Sequence, residues 1–341
     1  MRVLHAIAGA DVGGAETFFV DAVKAIDETG IEQYVVTRNN NSHKIQTISE
    51  LNIPLKITNF AQRWKWPTQR VISNAIHQHN PDIVHHWMGR AGTYATHGRH
   101  TNIGWYGGYY KPTRFKNCHH HVAVTKDIAD HIIRQGVTPK QVHLLHIYAE
   151  LNEAQPLNRA KYNTPDDAPL LLALSRLHTK KGLDILISAM QKIPDAYLWI
   201  AGSGPLEQKL KAQMRDLKLE ERIRFLGWRY DREALLATAD ICVFPSRYEP
   251  FGAVVIEAWG TGTPLVAAKS QGPKAYISHE ENGLLVDIDD VDGLAASINR
   301  IIKDKYLQAH ITCSGLNHYE QHFSKSVFKT NVQQLYQNIK R

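Results

Sequence analysis

Short apolar runs alternate with longer stretches whose apolar positions recur every three to four residues, and the alternation comes in two series separated by a polar segment. In the first series, Arg2-Val-Leu-His-Ala-Ile-Ala, Glu32-Gln-Tyr-Val-Val-Thr and Asp82-Ile-Val-His-His read as buried strands. Each leads through a loop to helix-period sequence, as in Thr17 to Ile26 and Thr68 to His79. The rhythm restarts at Pro169-Leu-Leu-Leu-Ala-Leu-Ser. It continues through Ala196-Tyr-Leu-Trp-Ile-Ala, Ile223-Arg-Phe-Leu, Ile241-Cys-Val-Phe and Pro264-Leu-Val-Ala-Ala. Strands alternating with helices predict two α/β domains, each built on a parallel sheet. Leu151 to Pro169 is polar, contains three prolines and has no sustained period, which places a boundary near residue 160. The expected domains are therefore 1–160 and 161–323. The tail 324–341 forms an amphipathic helix (Val327, Phe328, Val332, Leu335, Tyr336, Ile339) that is expected to pack back on the first domain.

A length of 341 residues suits two cores of about 150 residues each. Cys118, Cys242 and Cys313 are scattered and lack metal-ligand spacing, so a reduced, cytoplasmic setting is expected. The first apolar run is too short for a signal-peptide core, and no run approaches the roughly 20 residues of a spanning helix, which implies a soluble or peripheral protein. A formal charge of +7 points to an anionic partner, and nucleic acid, an anionic membrane face or a charged substrate would each satisfy it.

Candidate chemistry concentrates in the second series. Glu249-Pro-Phe251-Gly252-Ala-Val-Val-Ile-Glu257 follows an apolar strand, and a helix starting near Ala253 would aim unpaired amides at a phosphate. Glu249 and Glu257 would then accept hydroxyl hydrogen bonds on either side; the bland alternative is two surface glutamates on a solvated helix. Ser175-Arg176-Leu-His-Thr-Lys-Lys181-Gly182 follows the second domain's first strand, at the edge where open α/β sheets bind ligands. Arg176 and Lys181 there would suit a diphosphate, or would be solvated loop cations. Gly202-Ser-Gly204-Pro-Leu is a further glycine turn on the same edge, permitting close backbone approach to a ligand. Gly13-Gly14-Ala-Glu16 follows the first strand of the chain but lacks the G-x-G-x-x-G spacing of dinucleotide binders.

In order and spacing these segments resemble the retaining GT-B glycosyltransferases of family 4. So do Phe225-Leu-Gly-Trp, Ala239-Asp-Ile-Cys-Val-Phe-Pro-Ser, Gly262-Thr-Pro-Leu-Val-Ala and Glu281-Asn-Gly-Leu-Leu-Val. The resemblance implies two Rossmann-like domains facing across a cleft and transfer of a sugar from a nucleotide diphosphate donor, UDP- or GDP-linked, to an acceptor hydroxyl with retention. It implies that Arg176 and Lys181 grip the diphosphate, that Glu257 binds the ribose, and that Glu249 contacts the transferred sugar. It also sets the amides near Phe251 and Gly252 against sugar or phosphate, and brings Gly14 to the donor from the first domain. The acceptor it implies is a bacterial surface glycan or glycolipid, such as a lipopolysaccharide core, at the inner membrane face, with peripheral contact to anionic lipid and none to nucleic acid. The chemistry needs no cofactor. A nucleotide-sugar epimerase-like enzyme and a non-catalytic nucleotide-sugar binder are the alternatives.

The first domain matches the family less fully, through Gly13-Gly14-Ala-Glu16 and Pro81-Asp-Ile-Val-His85. Where many members carry a histidine-glycine pair, this chain has Ile103-Gly-Trp-Tyr106-Gly-Gly, so Tyr106 or the Gly107 and Gly108 amides are expected to substitute. His85, ending a strand, and Glu16 are acceptor-side candidates. Arg63-Trp-Lys-Trp66 could touch a membrane or acceptor, or form a partly buried loop. His119-His-His121 side chains would diverge along a strand and so are not expected to chelate one ion. Asp287-Ile-Asp289 spells a metal-binding D-x-D, but its place before a helix predicts capping and no metal requirement.

Overall fold

The computed structural model describes residues 1–10, 13–61 and 63–340, and the chain divides into two compact units. Unit one comprises Met1–Tyr148 and Lys325–Arg341; unit two is Ala149–Ser324. Unit one carries seven strands: β1 (Arg2–Ile7), β2 (Glu32–Thr37), β3 (Leu55–Ile57), β4 (Ile83–Trp87), β5 (Thr101–Tyr106), β6 (His120–Ala123) and β7 (Val142–Leu144). Their order is β3-β2-β1-β4-β5-β6-β7, and all pairs are parallel.

The central strands are buried on both faces, which is why they read as continuous apolar runs without alternation. Leu4 and Ala6 of β1 join Tyr34, Val36, Phe60, Ile72 and Val84 in one core layer. The intervening His5 lies in register with His85 on β4, on the opposite face. There His85 stacks on Trp87 at 4.5 Å, and Phe18 meets both Trp87 and Trp105. The terminal helix Lys325–Ile339 closes this aromatic layer. Phe328 packs on Phe18 and Tyr148, Tyr336 shares a 2.8 Å hydrogen bond with His85 Nδ1, and Thr101 Oγ1 donates to the Ile339 carbonyl. Lys325 and Lys329 both pair with Glu28.

Two acceptor-side expectations are corrected by this packing. His85 is fully buried in the central strand, and Tyr106 is buried too, sharing a hydrogen bond with His121 and packed 4.2 Å from the Phe115 ring. What takes these two side chains out of contact with a substrate is their cover: Tyr336 of the terminal helix closes over His85, and His121 and Phe115 over Tyr106.

Unit two has strands β8 (Leu170–Leu174), β9 (Tyr197–Ala201), β10 (Ile223–Gly227), β11 (Ile241–Phe244), β12 (Leu265–Ala268) and β13 (Leu284–Val286). They form a parallel sheet in the order β10-β9-β8-β11-β12-β13. Leu171, Ala173, Leu198, Ile200, Val243 and Val266 pack with Leu186, Ile187 and Ile298 from the flanking helices. The unit begins at Ala149, earlier than the boundary expected near residue 160. Arg159 explains the shift: its guanidinium donates to the Thr238 and Ala168 carbonyls and to Asp240, and Leu157 N donates to Thr238 Oγ1. A polar, proline-rich segment therefore belongs to the unit through backbone carbonyl contacts that its own composition does not show.

Candidate active site

In unit two the strand order reverses between β8 and β11, because the chain continues outward from β8 to β9 and, on the other side, from β11 to β12. Their following connections part at that point, and open α/β sheets bind ligands in the resulting crevice beyond the carboxyl ends. The Arg176 and Glu249 loops leave these two strands. They are bonded together: the Lys180 carbonyl accepts from Arg247 N and Tyr248 N, at 2.8 and 3.2 Å. Arg247 staples the same region, donating to the Thr179 carbonyl and to both oxygens of Asp184, and pairing with Asp289. Partial burial of Asp184 opposes its ionisation, but the Arg247 hydrogen bonds prevail and hold its carboxyl below the usual range.

Lys181, on the short turn Thr179–Lys181, forms an ion pair with Glu249; the two side chains are only 21% and 16% exposed. Arg176 is exposed, and its guanidinium has no ion pair with any described residue. The helix Ala253–Gly260 starts at Gly252, whose φ of +96° favours glycine, and no side chain caps it. Its first amides are thus suited to an anion. Glu257, one turn inside this helix, is 7% exposed and pairs with Arg232 Nη1 at 3.1 Å, while Arg232 Nη2 donates to the Glu150 carbonyl.

Gly202 and Gly204 serve the neighbouring backbone. A Cβ on Gly202 would lie 1.9 Å from the Ser175 carbonyl oxygen, and one on Gly204 would lie 2.5 Å from that of Leu177. Ser175 N donates to the Ala201 carbonyl and Leu177 N to that of Ser203, so this turn fixes the backbone beneath Arg176. Phe251 is a buried anchor against Tyr276 and Phe323, and Tyr276 donates its hydroxyl proton to the Phe251 carbonyl. Tyr276, Arg232 and Arg247 were missed by sequence reasoning. Tyr276 and Arg232 reach Phe251 and Glu257 from other elements, and Arg247, although beside Glu249, acts through Asp184 just past the opposite loop, so no local spacing marks them.

In unit one, Gly14 opens the helix Gly14–Asp27, and a Cβ placed there would meet nothing within 4 Å. Glu16 is buried, and its Oε1 accepts from Ala10 N at 2.7 Å. Its carboxylate therefore closes its own loop. The histidine triplet diverges: His119 Nδ1 accepts from Asn102 N, His120 contacts His143, and His121 contacts Tyr106. Asp287 pairs with Lys269 and Asp289 with Arg247, while Asp290 caps the helix Val291–Lys303 through Gly293 N. Among the described residues no three His, Cys, Asp or Glu side chains gather as a metal-ligand set.

The group collected at the β8 and β11 edge, two cations, an uncapped helix start and two carboxylates, matches the needs of a phosphorylated, hydroxyl-bearing ligand. Residues 154–317 match the family model for glycosyl transferases group 1, and residues 12–147 match that for glycosyltransferase family 4. The chain is 31% identical to the lipopolysaccharide core biosynthesis glycosyltransferase LpsE of Rhizobium meliloti (strain 1021), over 98% of both chains. The chain belongs to the group 1 glycosyltransferases. The LpsD lipopolysaccharide core biosynthesis glycosyltransferase of the same strain is 29% identical to this glycosyltransferase over 95% of both. The crystal structure of Anabaena Alr3699/HepE in complex with UDP superposes with a TM-score of 0.86 at 20% identity, covering 99% of this chain and 100% of that one. That likeness shows the fold, and the two parallel-sheet units are those of a GT-B glycosyltransferase.

Proposed function

We propose that this glycosyltransferase moves a sugar from a UDP- or GDP-sugar to a hydroxyl of a bacterial surface glycan or glycolipid of the lipopolysaccharide-core class, with retention and without a metal. The observation carrying the reading is the gathering of Arg176, Lys181, Glu249, Glu257 and the uncapped start of the helix Ala253–Gly260 at the switch point of one sheet. The two lipopolysaccharide-core relatives support the acceptor class, and the UDP bound by HepE supports the donor.

In this reading the bond from the anomeric carbon to the diphosphate oxygen breaks while a bond from the acceptor oxygen forms on the same face. The acceptor proton passes to a donor phosphate oxygen. Arg176, Lys181 and the helix amides stabilise the charge growing on the leaving diphosphate. Glu249 holds hydroxyls of the transferred sugar, and Glu257 holds the ribose. A cation at the diphosphate would duplicate charge these groups already supply, and Asp287 and Asp289 are each committed to a basic partner. The enzyme works peripherally at the inner membrane face, where its acceptor is assembled.

Transfer from UDP- and GDP-sugars to a lipopolysaccharide-core acceptor, measured in EDTA with the product's anomeric configuration read by NMR, tests the reading. The expected product keeps the donor's configuration. An inverted product, or activity lost to EDTA and restored by Mn or Mg but missing in Asp287→Asn/Asp289→Asn, would overturn the corresponding part.

A further inference from the structure

We infer that Arg232 is the positioning residue for the nucleoside half of the donor site: its guanidinium sets the Glu257 carboxylate in the orientation that reads the ribose hydroxyls. The inference rests on the proposed reading of Glu257 as the ribose group, and adds the residue that makes this reading selective. Arg232 opens the helix Arg232–Thr238, between β10 and β11. In a parallel sheet the helix after a strand starts at the carboxyl edge. Arg232 therefore stands on the edge that also carries Arg176, Lys181 and the start of the helix Ala253–Gly260.

Three elements of unit two meet on this guanidinium. Nη1 lies 3.1 Å from Glu257 Oε1, Nε lies 3.5 Å from the neighbouring Glu233, and Nη2 donates at 3.1 Å to the Glu150 carbonyl, where the unit begins. That opening segment is itself fixed, because Tyr319 donates its hydroxyl proton to the Ala149 carbonyl at 2.9 Å. The planar fork matters here. The bonds to a carboxylate and to a carbonyl leave from different nitrogens in fixed directions, which the point charge of an ammonium would not reproduce.

A buried ion pair that merely joins two helices would be weak evidence of function. The surroundings of Glu257 place this one in the site. Glu257 is the sole ionisable residue of the helix Ala253–Gly260, and Val255, Ile256, Ala258 and Trp259 beside it are buried. A carboxylate among such neighbours needs a cation to stay ionised, and partly exposed Arg232 supplies it. Side chains on a helix lean toward its N-terminus, so the Glu257 carboxylate is directed back along about one turn, roughly 5 Å, toward the uncapped amides suited to phosphate. Phosphate and ribose hydroxyls of one nucleotide are separated on that same scale. A carboxylate also accepts about four hydrogen bonds, so the Arg232 contact and a ribose hydroxyl are compatible. Glu257 thus keeps its cation when a nucleotide arrives, whereas Lys181 must share or leave Glu249.

The experiment is calorimetry of the full chain with UDP and with GDP, each beside its dideoxy form, which lacks both ribose hydroxyls. Wild type, Arg232→Gln, Arg232→Lys and Glu257→Ala are compared, with denaturant midpoints taken in parallel. Wild type is expected to prefer the hydroxylated nucleotide by about tenfold to 100-fold, the scale of hydrogen bonds to a charged group. Glu257→Ala should lose that preference. Arg232→Gln should reduce it to about threefold or less while keeping affinity for the dideoxy form within about twofold, and Arg232→Lys should recover part of it, since charge returns without the fork. A preference kept in Arg232→Gln but lost in Glu257→Ala would overturn the inference and leave the ribose reading standing. So would an equal fall in affinity for both forms, which would make Arg232 a structural residue only. Arg232→Lys carries the test should the glutamine variant fold poorly: a preference equal to wild type there would overturn the assignment to the guanidinium. An unchanged preference in Glu257→Ala, or binding of neither nucleotide, would instead overturn the donor-site reading and the inference with it.

Discussion

Lys181 and Glu249 neutralise each other across the loops that leave β8 and β11, so a diphosphate that claims Lys181 must displace or share this contact. Glu249→Ala should therefore leave UDP affinity unchanged or higher while sugar transfer falls. Lys181→Ala should weaken UDP by about 2 to 5 kcal/mol if the bond is desolvated, and exposed Arg176→Ala by less, about 1.5 to 3 kcal/mol. Calorimetry with UDP beside a transfer assay reads both quantities; affinity lost in Glu249→Ala but kept in Lys181→Ala would reverse the roles. A second prediction concerns the buried histidines of unit one. Burial pushes His5 down to about 3 despite its Gln33 hydrogen bond, and His86 to about 4 despite Asn102; His85 is also held well below its ordinary value by burial. Below the unfolded value of about 6.5 the unfolded chain takes up protons that the folded chain refuses, so stability falls as pH drops from there. His86 alone contributes a loss on the order of 3 kcal/mol, complete only below its folded value. Denaturant midpoints at about pH 7.5 and pH 5.5, the latter still above the usual carboxylate range, should show the decline. A flat profile would mean that these histidines protonate in the folded state.

The terminal helix Lys325–Ile339 shows how an element can be legible while its partner is not. Its apolar spacing predicts an amphipathic helix, and Phe328, Val332, Leu335, Tyr336 and Ile339 are the residues it buries. Nothing in that spacing names His85 as the partner of Tyr336. Tyr336→Phe keeps the ring but leaves a buried imidazole nitrogen unpaired, so it should cost about 1 to 3 kcal/mol in urea unfolding. A change under 0.5 kcal/mol would indicate that water replaces the lost hydroxyl. The short strands β8, β9, β11 and β12 and the helix starting at Ala253 were also legible, because buried parallel strands are dense apolar runs bounded by glycine and proline. The amides near Phe251 and the turn at Gly204 were read as open to a ligand; that the Phe251 ring packs on Tyr276 and that Gly204 lies against Leu177 was not legible, because such contacts depend on which loops the sheet order sets side by side.

Unit one is discontinuous in sequence, whereas unit two is a single segment. A fragment spanning residues 149–324 should fold alone and bind UDP. A fragment spanning residues 1–148 should remain aggregated or molten, because without the terminal helix it exposes Phe18, Tyr148 and His85. Adding UDP at about 100 times its dissociation constant should raise the stability of the 149–324 fragment by about 2.7 kcal/mol. A well-folded 1–148 fragment in a near-ultraviolet circular dichroism spectrum would contradict the structural weight given to that helix.

What the sequence determined by itself was the alternation of strand and helix, the two parallel sheets, and the placing of Arg176, Lys181, Glu249 and Glu257 in the loops and helix just past two strand ends. Those features are local: period, glycine turns and charged residues placed just past a strand end carry their own physical meaning. Only the tertiary structure decided that Lys181 and Glu249 pair, that Arg232 holds Glu257, and that the polar segment after Ala149 belongs to unit two. It also decided that His85 and Tyr106 are core residues while Trp64 and Trp66 are exposed. Burial is a property of what covers a residue, and the covering groups come from distant parts of the chain: Tyr336 lies 251 residues from the His85 it closes over.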